Sequence, residues 1–270
     1  MDFHEINDRG LVLIGCGKMG RALLEGWLVA GLSARKTHVF DPAPPEELSE
    51  YGVHVNGPMP ESPAVLVIAV KPQMMDEALQ GLDQFGAGRT LVVSIAAGTT
   101  LARLERAFGP GTPIVRAMPN TPAAIGSGMT AFVGNADCDE EHLAAADTLL
   151  AAVGRTARLR EEREIDWVTA VSGSGPAYVF HLIEAMADAG AELGLPRDQA
   201  LELASATVAG AGELVLASSA PPSELRENVT SPGGTTEAAL KVLMDPDTGL
   251  TPLMRRALKA AADRATDLGR

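Results

Sequence analysis

The chain has 270 residues, more than one average domain and enough for two modest ones. Its 46% hydrophobic and 21% charged residues describe a globular protein whose core needs neither disulfides nor a metal, and exclude a disordered one. A net charge of −13 repels polyanions, so nucleic acid is not an expected partner.

The N-terminus is polar and acidic, with no signal-peptide pattern. Residues 11–14 read as the first strand. Residues 19–30 follow as a helix, with Leu23, Leu24, Trp27 and Leu28 at helical spacing and Gly31 as its stop. Further strands are expected at 37–41, 64–70, 90–95 and 113–117. Two more, at 129–133 and 156–159, flank a helix at 140–153. Runs of Val, Ile and Leu without polar alternation imply strands buried on both faces, the mark of a parallel sheet covered by helices. The expected fold is therefore α/β, with an N-terminal Rossmann-type doubly wound domain over residues 1–160.

From residue 161 to 270 the pattern is helical, with five or six helices and breaks near 172–176, 194–196, 220–222, 231–234 and 245–249. The longest apolar runs, such as 64–70, are too short to span a bilayer, so no membrane partner is expected. The two cysteines, Cys16 and Cys138, lie far apart and near no metal-ligand spacing. A reducing cytoplasmic compartment and no metal site are the expectations.

Gly15-Cys16-Gly17-Lys18-Met19-Gly20 is a G-x-G-x-x-G. It follows a strand and opens a helix, the context that makes it a dinucleotide site rather than a plain glycine turn. Gly15 permits the turn, Gly17 lets the pyrophosphate approach, and Gly20 lets helix and strand pack closely. Asp41 stands 21 residues after Gly20, where a carboxylate meets the adenosine ribose and disfavours a 2′-phosphate. It could instead simply start the proline-rich turn that follows. Cys16 fits a small filler of a tight loop better than a reactive thiol.

The helical domain is poor in acids and bases suited to proton transfer. Its only lysines are Lys241 and Lys259, and its only histidine is His181, in an apolar stretch that suggests a core position. Two Gly/Ser/Pro-rich segments stand out, at 172–176 and 230–236. The second leads into a helix at 237–244 and could expose backbone amides to a carboxylate, or reflect ordinary capping by Thr235 or Thr236.

At these residues the chain resembles the pyrroline-5-carboxylate reductases, the last enzymes of proline synthesis. The likeness runs nearly end to end. It is carried by residues 14–20, Ala69-Val70-Lys71-Pro72, Ser94-Ile95-Ala96-Ala97-Gly98, Arg116-Ala117-Met118-Pro119-Asn120-Thr121-Pro122, residues 171–178 and Ser231-Pro232-Gly233-Gly234-Thr235-Thr236. The resemblance implies a Rossmann domain followed by an all-helical dimerisation domain, and reduction of a cyclic imine by NADPH or NADH. It also implies a homodimer or higher homo-oligomer with interlocked helical domains, in which the substrate loop of one chain completes the site over its partner's coenzyme. Carried over by residue, Gly15, Cys16, Gly17, Lys18, Met19 and Gly20 take the pyrophosphate. Asp41 and Asn56 flank the ribose, and Val70, Lys71, Pro72, Ala96, Ala97 and Asn120 line the nicotinamide side. The imino-acid carboxylate rests on the backbone of Ser231, Gly233, Gly234, Thr235 and Thr236. Thr236 is the catalytic hydroxyl near the ring nitrogen, and Glu162 and Asn228 lie close to the substrate.

Many members of that family carry a small polar residue where Asp41 stands and prefer NADPH, so the family pattern and the local chemistry diverge over the coenzyme. The sparse chemistry of the helical domain suits an imine. A protonated imine already carries the positive charge that hydride transfer requires, so a threonine hydroxyl is sufficient. Two alternatives are a 3-hydroxyacid-type dehydrogenase, for which Lys241 is the one plausible but poorly placed catalytic lysine, and a non-catalytic NAD(P)-binding regulator, which would not need the loop at 231–236.

Overall fold

The computed structural model describes residues 3–269, of which Phe3 contributes backbone only. The apolar runs form one eight-stranded sheet: β1 (Leu11–Ile14), β2 (Thr37–Phe40), β3 (His54–Val55), β4 (Val65–Ile68), β5 (Leu91–Ser94), β6 (Ile114–Met118), β7 (Gly128–Gly134) and β8 (Gly154–Arg158). Their order is β3-β2-β1-β4-β5-β6-β7-β8. The chain leaves β1 toward β2 and later returns to β1's other side as β4. That reversal is the switch point where doubly wound sheets open a ligand crevice at their strand C-termini.

The sheet is parallel except where β7 runs antiparallel to β6. Between them lies only residues 119–127, including a 3-10 segment (Thr121–Ile125). A parallel return needs a crossover of about a dozen residues or more, so this connection has to fold back. The expected doubly wound parallel sheet is thus present with a reversal at β7 that the apolar runs do not signal, and β3, only two residues long, was not foreseen.

Helices α1 (Phe3–Arg9), α2 (Lys18–Val29), α3 (Met75–Ala78), α4 (Leu101–Phe108) and α5 (Glu140–Ala151) cover the sheet. Alternate residues of each strand feed opposite faces. Leu11, Leu13, Val65 and Val67 pack with Leu23, Leu24 and Trp27 of α2 and with Leu149 of α5. Val12, Ile14, Leu66 and Ile68 pack with Met75, Phe85, Leu104 and Phe108. Trp27 keeps its indole N–H satisfied on the Leu149 carbonyl at 2.8 Å. The Thr100 hydroxyl caps α4, and Asp139 with His142 forms a capping box on α5.

After β8 come α6 (Glu164–Val168), a π turn (Thr169–Gly173), α7 (Gly175–Glu192), α8 (Arg197–Ala217), α9 (Pro222–Asn228), α10 (Thr235–Leu243) and α11 (Leu250–Leu268). The chain forms two compact units: residues up to Gly173 with those from Ala262 onward, and Ser174–Ala261. The division falls beyond residue 160 because Ile165 and Val168 of α6 join the sheet's core. The segment at 172–176 is a π turn running into α7 rather than a loop. α10 begins two residues before position 237.

The second unit has a very small core, in which Ala187, Ala200 and Ala204 are buried with Ile183 against them. Phe180, Leu203, Leu216 and Val242 are exposed. α8 is long and apolar enough, by length and composition, to cross a membrane, contrary to the expectation that no apolar run has that length. His181 is exposed and lies 3.3 Å from Glu184, which corrects the expectation of a core histidine.

Candidate active site

The glycine loop leaves β1 at Ile14. Gly15 has φ +89°, and a Cβ there would stand 2.9 Å from Val70 Cγ1 and 3.0 Å from the Ala69 carbonyl. At Gly20 a Cβ would collide with the Gly15 carbonyl oxygen. Both glycines are therefore required by packing. Gly17 differs, because a Cβ there would meet nothing within 4 Å. Its open side faces space rather than protein, as a backbone that must be approached by a phosphate requires. Gly17 is also the N-cap of α2 and offers no side-chain cap, so the first amides of that helix remain free for an anion.

Lys18 is exposed and Met19 half-buried. Cys16 is buried, and its thiol is pushed up to about 11, first by burial and next by the neighbouring Asp41 carboxylate. A thiol held neutral in this way is a filler and not a nucleophile.

Asp41 follows β2 and does more than start a turn. Its Oδ2 accepts from the Cys16 amide at 2.6 Å, and its Oδ1 accepts from the Ala43 amide at 2.8 Å. Asn56, at φ +49°, grips the Asp41 main chain: Nδ2 donates to the Asp41 carbonyl at 2.9 Å, and Oδ1 accepts from the Asp41 amide at 3.0 Å. Beside them lies a cleft of about 320 Å³ whose walls include Ile14, Phe40, Val70 and Met74.

A second cleft, of about 540 Å³, is lined by Gly17, Lys18, Met19, Val70, Lys71, Ala96, Ala97 and Pro119, among others. Val70 lines both clefts, so together they trace a trough along the strand C-termini. Pro72 opens a 3-10 segment (Pro72–Met74) just beyond Lys71. Asn120 is tied down: its Oδ1 accepts from the Met129 amide at 2.8 Å, and its Nδ2 donates to the Ser172 carbonyl and hydroxyl at 3.3 and 3.2 Å. The side chain thus pins the π turn to the end of β6. A further cavity of about 380 Å³, walled in part by Gln84, Arg89 and Phe108, sits at the N-terminal ends of the strands, away from these groups.

Glu162 takes part in a cluster that the sequence did not reveal. Its Oε1 accepts from the Leu101 amide, the first of α4, and from Arg116 Nη1, both at 2.7 Å. Arg116 is 5% exposed, its Nε is buried without a partner, and Asp166 lies 4.0 Å from its Nη2. The signal available in the sequence was a charged residue inside an apolar strand.

In the second unit, Ser231 to Gly234 forms a tight loop ahead of α10, of which Thr235 and Thr236 are the first two residues. Gly233 has φ +72°, its amide donates to Glu237 Oε2 at 2.7 Å, and the Gly234 amide donates to the Ser231 carbonyl at 3.0 Å. Gly234 is the N-cap, and no side chain caps the helix. Capping by Thr235 or Thr236 is therefore not made, and the first amides of α10 stay available to an anion. Asn228 ends α9 and is exposed. Lys241 is exposed and lies 3.9 Å from Glu237, a turn away on the same helix. The coenzyme residues and Glu162 thus belong to the first unit, and Asn228 and the loop to the second.

Two family models match the chain: pyrroline-5-carboxylate reductase dimerisation over residues 162–268, and NADP oxidoreductase, coenzyme F420-dependent, over residues 11–98. A pyrroline-5-carboxylate reductase of Pseudomonas aeruginosa is 41% identical over 96% of both chains. One of Synechocystis is 41% identical over 96% of this chain and 98% of its own. Among solved structures, a pyrroline-5-carboxylate reductase from Coxiella burnetii superposes with a TM-score of 0.90 at 34% identity, covering 98% of this chain and all of that one. The pyrroline carboxylate reductase of Plasmodium falciparum, solved with NADP bound, superposes with a TM-score of 0.82 at 27% identity over 98% and 99% of the two chains.

Proposed function

The chain belongs to the pyrroline-5-carboxylate reductase family, and from that premise we propose how its own residues carry the reaction. The reaction is the NAD(P)H-dependent reduction of 1-pyrroline-5-carboxylate to L-proline, which makes the protein an oxidoreductase acting on a C=N bond. One observation carries this reading: relatives of that activity align over 96% of the chain, so trough and substrate loop fall within a single match.

Bound NAD(P)H supplies the hydride. The open face of Gly17 and the first amides of α2, at Lys18, Met19 and Gly20, receive the pyrophosphate, helped by the positive end of the helix dipole. Asp41 and Asn56 hold the adenosine ribose. Val70, Lys71, Pro72, Ala96, Ala97 and Asn120 frame the nicotinamide. The free amides at the start of α10, at Thr235 and Thr236, seat the substrate carboxylate in the loop shaped by Ser231, Gly233 and Gly234. Thr236 sets its hydroxyl at the ring nitrogen, where it orients the protonated imine. Asn228 and Glu162 border the substrate. No strong acid is needed, because the imine nitrogen already holds its proton when the carbon accepts hydride.

Residues 161–270 serve as the dimerisation segment, and the protein works in the cytoplasm as a homodimer or a higher homo-oligomer. The apolar residues left exposed on α7, α8 and α10 support pairing of two copies as their cover. The same pairing accounts for the apolar surface of α8 without a membrane. The dehydrogenase alternative finds no support in Lys241, which is exposed and lies near Glu237.

The test is the oxidation of NADH and of NADPH by the purified protein with 1-pyrroline-5-carboxylate, with proline measured as product. Coenzyme oxidation without proline, or none at all, would refute the reading.

A further inference from the structure

The two nicotinamide coenzymes differ at one position of the adenosine ribose, where one carries a hydroxyl and the other a phosphate. Resting on the function proposed above, we infer that this enzyme is an NADH-preferring reductase in which Asp41, held in place by Asn56, rejects the 2′-phosphate.

Asp41 cannot swing aside as a loose surface acid would. Asn56 holds its main chain on both sides, and each carboxylate oxygen is anchored to a backbone amide, Oδ2 to Cys16 and Oδ1 to Ala43. One of those anchors belongs to the glycine loop itself. Pushing Asp41 out of the way would release the Cys16 amide and loosen the pyrophosphate site. A carboxylate offers about four acceptor positions, so two remain after these bonds. Those vacancies suit hydroxyl donors such as a ribose diol. A phosphate dianion brings only acceptors and like charge.

Among the described residues, no cation lines the cleft beside Asp41 to offset that charge. The only other charged residue lining this cleft, among the described residues, is Glu77. Arg21, one residue past the glycine loop on α2, is already held by Glu25 at 2.8 Å and Glu47 at 3.3 Å. Arg35 and Lys36 precede β2, at the opposite end of that strand from Asp41. Residues 42–45 contain three prolines and are followed by Glu46 and Glu47, which extend the acidic border.

The experiment measures dissociation constants for NADH and NADPH by isothermal titration on the purified full chain, and on Asp41→Ser and Asp41→Asn. The wild type should bind NADH about tenfold more tightly or better, the size expected of a close like-charge contact. Both variants should narrow that ratio, and Asp41→Asn, which keeps size and an acceptor, separates lost charge from a loosened loop. A wild type that binds NADPH as tightly as NADH, or a ratio unchanged in both variants, would overturn the inference. Preferential NADH binding without reduction of 1-pyrroline-5-carboxylate would leave the assignment of Asp41 standing and refute the proposed reaction instead.

Discussion

Arg116 and Glu162 meet Nη1 to Oε1 at 2.7 Å, joining the middle of β6 to the segment that enters α6. The same carboxylate oxygen takes the first amide of α4, so one atom closes a helix end and neutralises a buried guanidinium. Removing its charge should be costly. Glu162→Gln is expected to lower the unfolding free energy by about 1–3 kcal/mol, less than the full loss of a buried pair because Asp166 remains 4.0 Å from Arg116. Urea denaturation measures it. Adding Arg116→Met should restore part of the loss, and a double variant no better than the single one would show that the pair is not what stabilises this corner.

Gly17 and Gly20 separate packing from binding. Gly20→Ala forces a methyl group into the Gly15 carbonyl and should destabilise the folded chain. Gly17→Ala meets no protein atom within 4 Å, so its melting temperature should stay near that of the wild type while coenzyme affinity falls. Thermal unfolding and coenzyme titration on both variants check this. Gly17→Ala with undiminished affinity would mean that the pyrophosphate does not approach there.

Thr236→Ala should lower kcat about a hundredfold if the hydroxyl is preorganised at the ring nitrogen, and by roughly tenfold or less if it only contributes one ordinary hydrogen bond. Coenzyme affinity should not move, since none of the coenzyme contacts proposed above involves Thr236. Steady-state kinetics with a parallel coenzyme titration distinguishes the two. A variant with full kcat would pass the role to the loop backbone.

His38 on β2 stacks on His54 of β3, with ring centroids 4.6 Å apart. Its pKa is lowered, first by burial and then by His54, against an opposing backbone contact at Pro58. Between that lowered value and the unfolded value near 6.5, the unfolded chain binds more protons than the folded one. Stability therefore falls as pH drops below about 6.5. His38→Phe keeps a stacking ring without a titrating group and should flatten that part of the profile. Chemical unfolding at several pH values from 5 to 7.5 reads it, and equal slopes in the two proteins would refute the assignment.

The central strands β1, β4 and β5 were legible because they are buried on both faces and so are spelled almost entirely in Val, Ile and Leu, as at Val65–Ile68 and Leu91–Ser94. β3 escaped because His54 and Val55 are too few to show a pattern. α4 escaped although Thr100, its cap, stood in view. Gly15 and Gly20 were readable as packing glycines, whereas the tie of Asn120 to Ser172 left no local trace and that of Glu162 to Arg116 showed only as a charge inside an apolar strand, with nothing to name its partner. His181 was misplaced for a physical reason. An apolar helix reads as core, but the cover for α7 is not supplied within its own unit.

The last turns of α11 fold with the first unit. Thr266 donates to Asp166 at 2.9 Å, and the Leu268 carbonyl stands where a Cβ on Gly98 would meet it at 2.8 Å. Gly98 directly follows Ala96 and Ala97. On a ribosome, the sheet and the glycine loop emerge before residues 262–268, so the contacts at Gly98 and Asp166 form only after those residues have been made. A chain cut before Ala262 would lose these contacts, so the residues that follow the helical unit in sequence belong structurally to the sheet they rejoin.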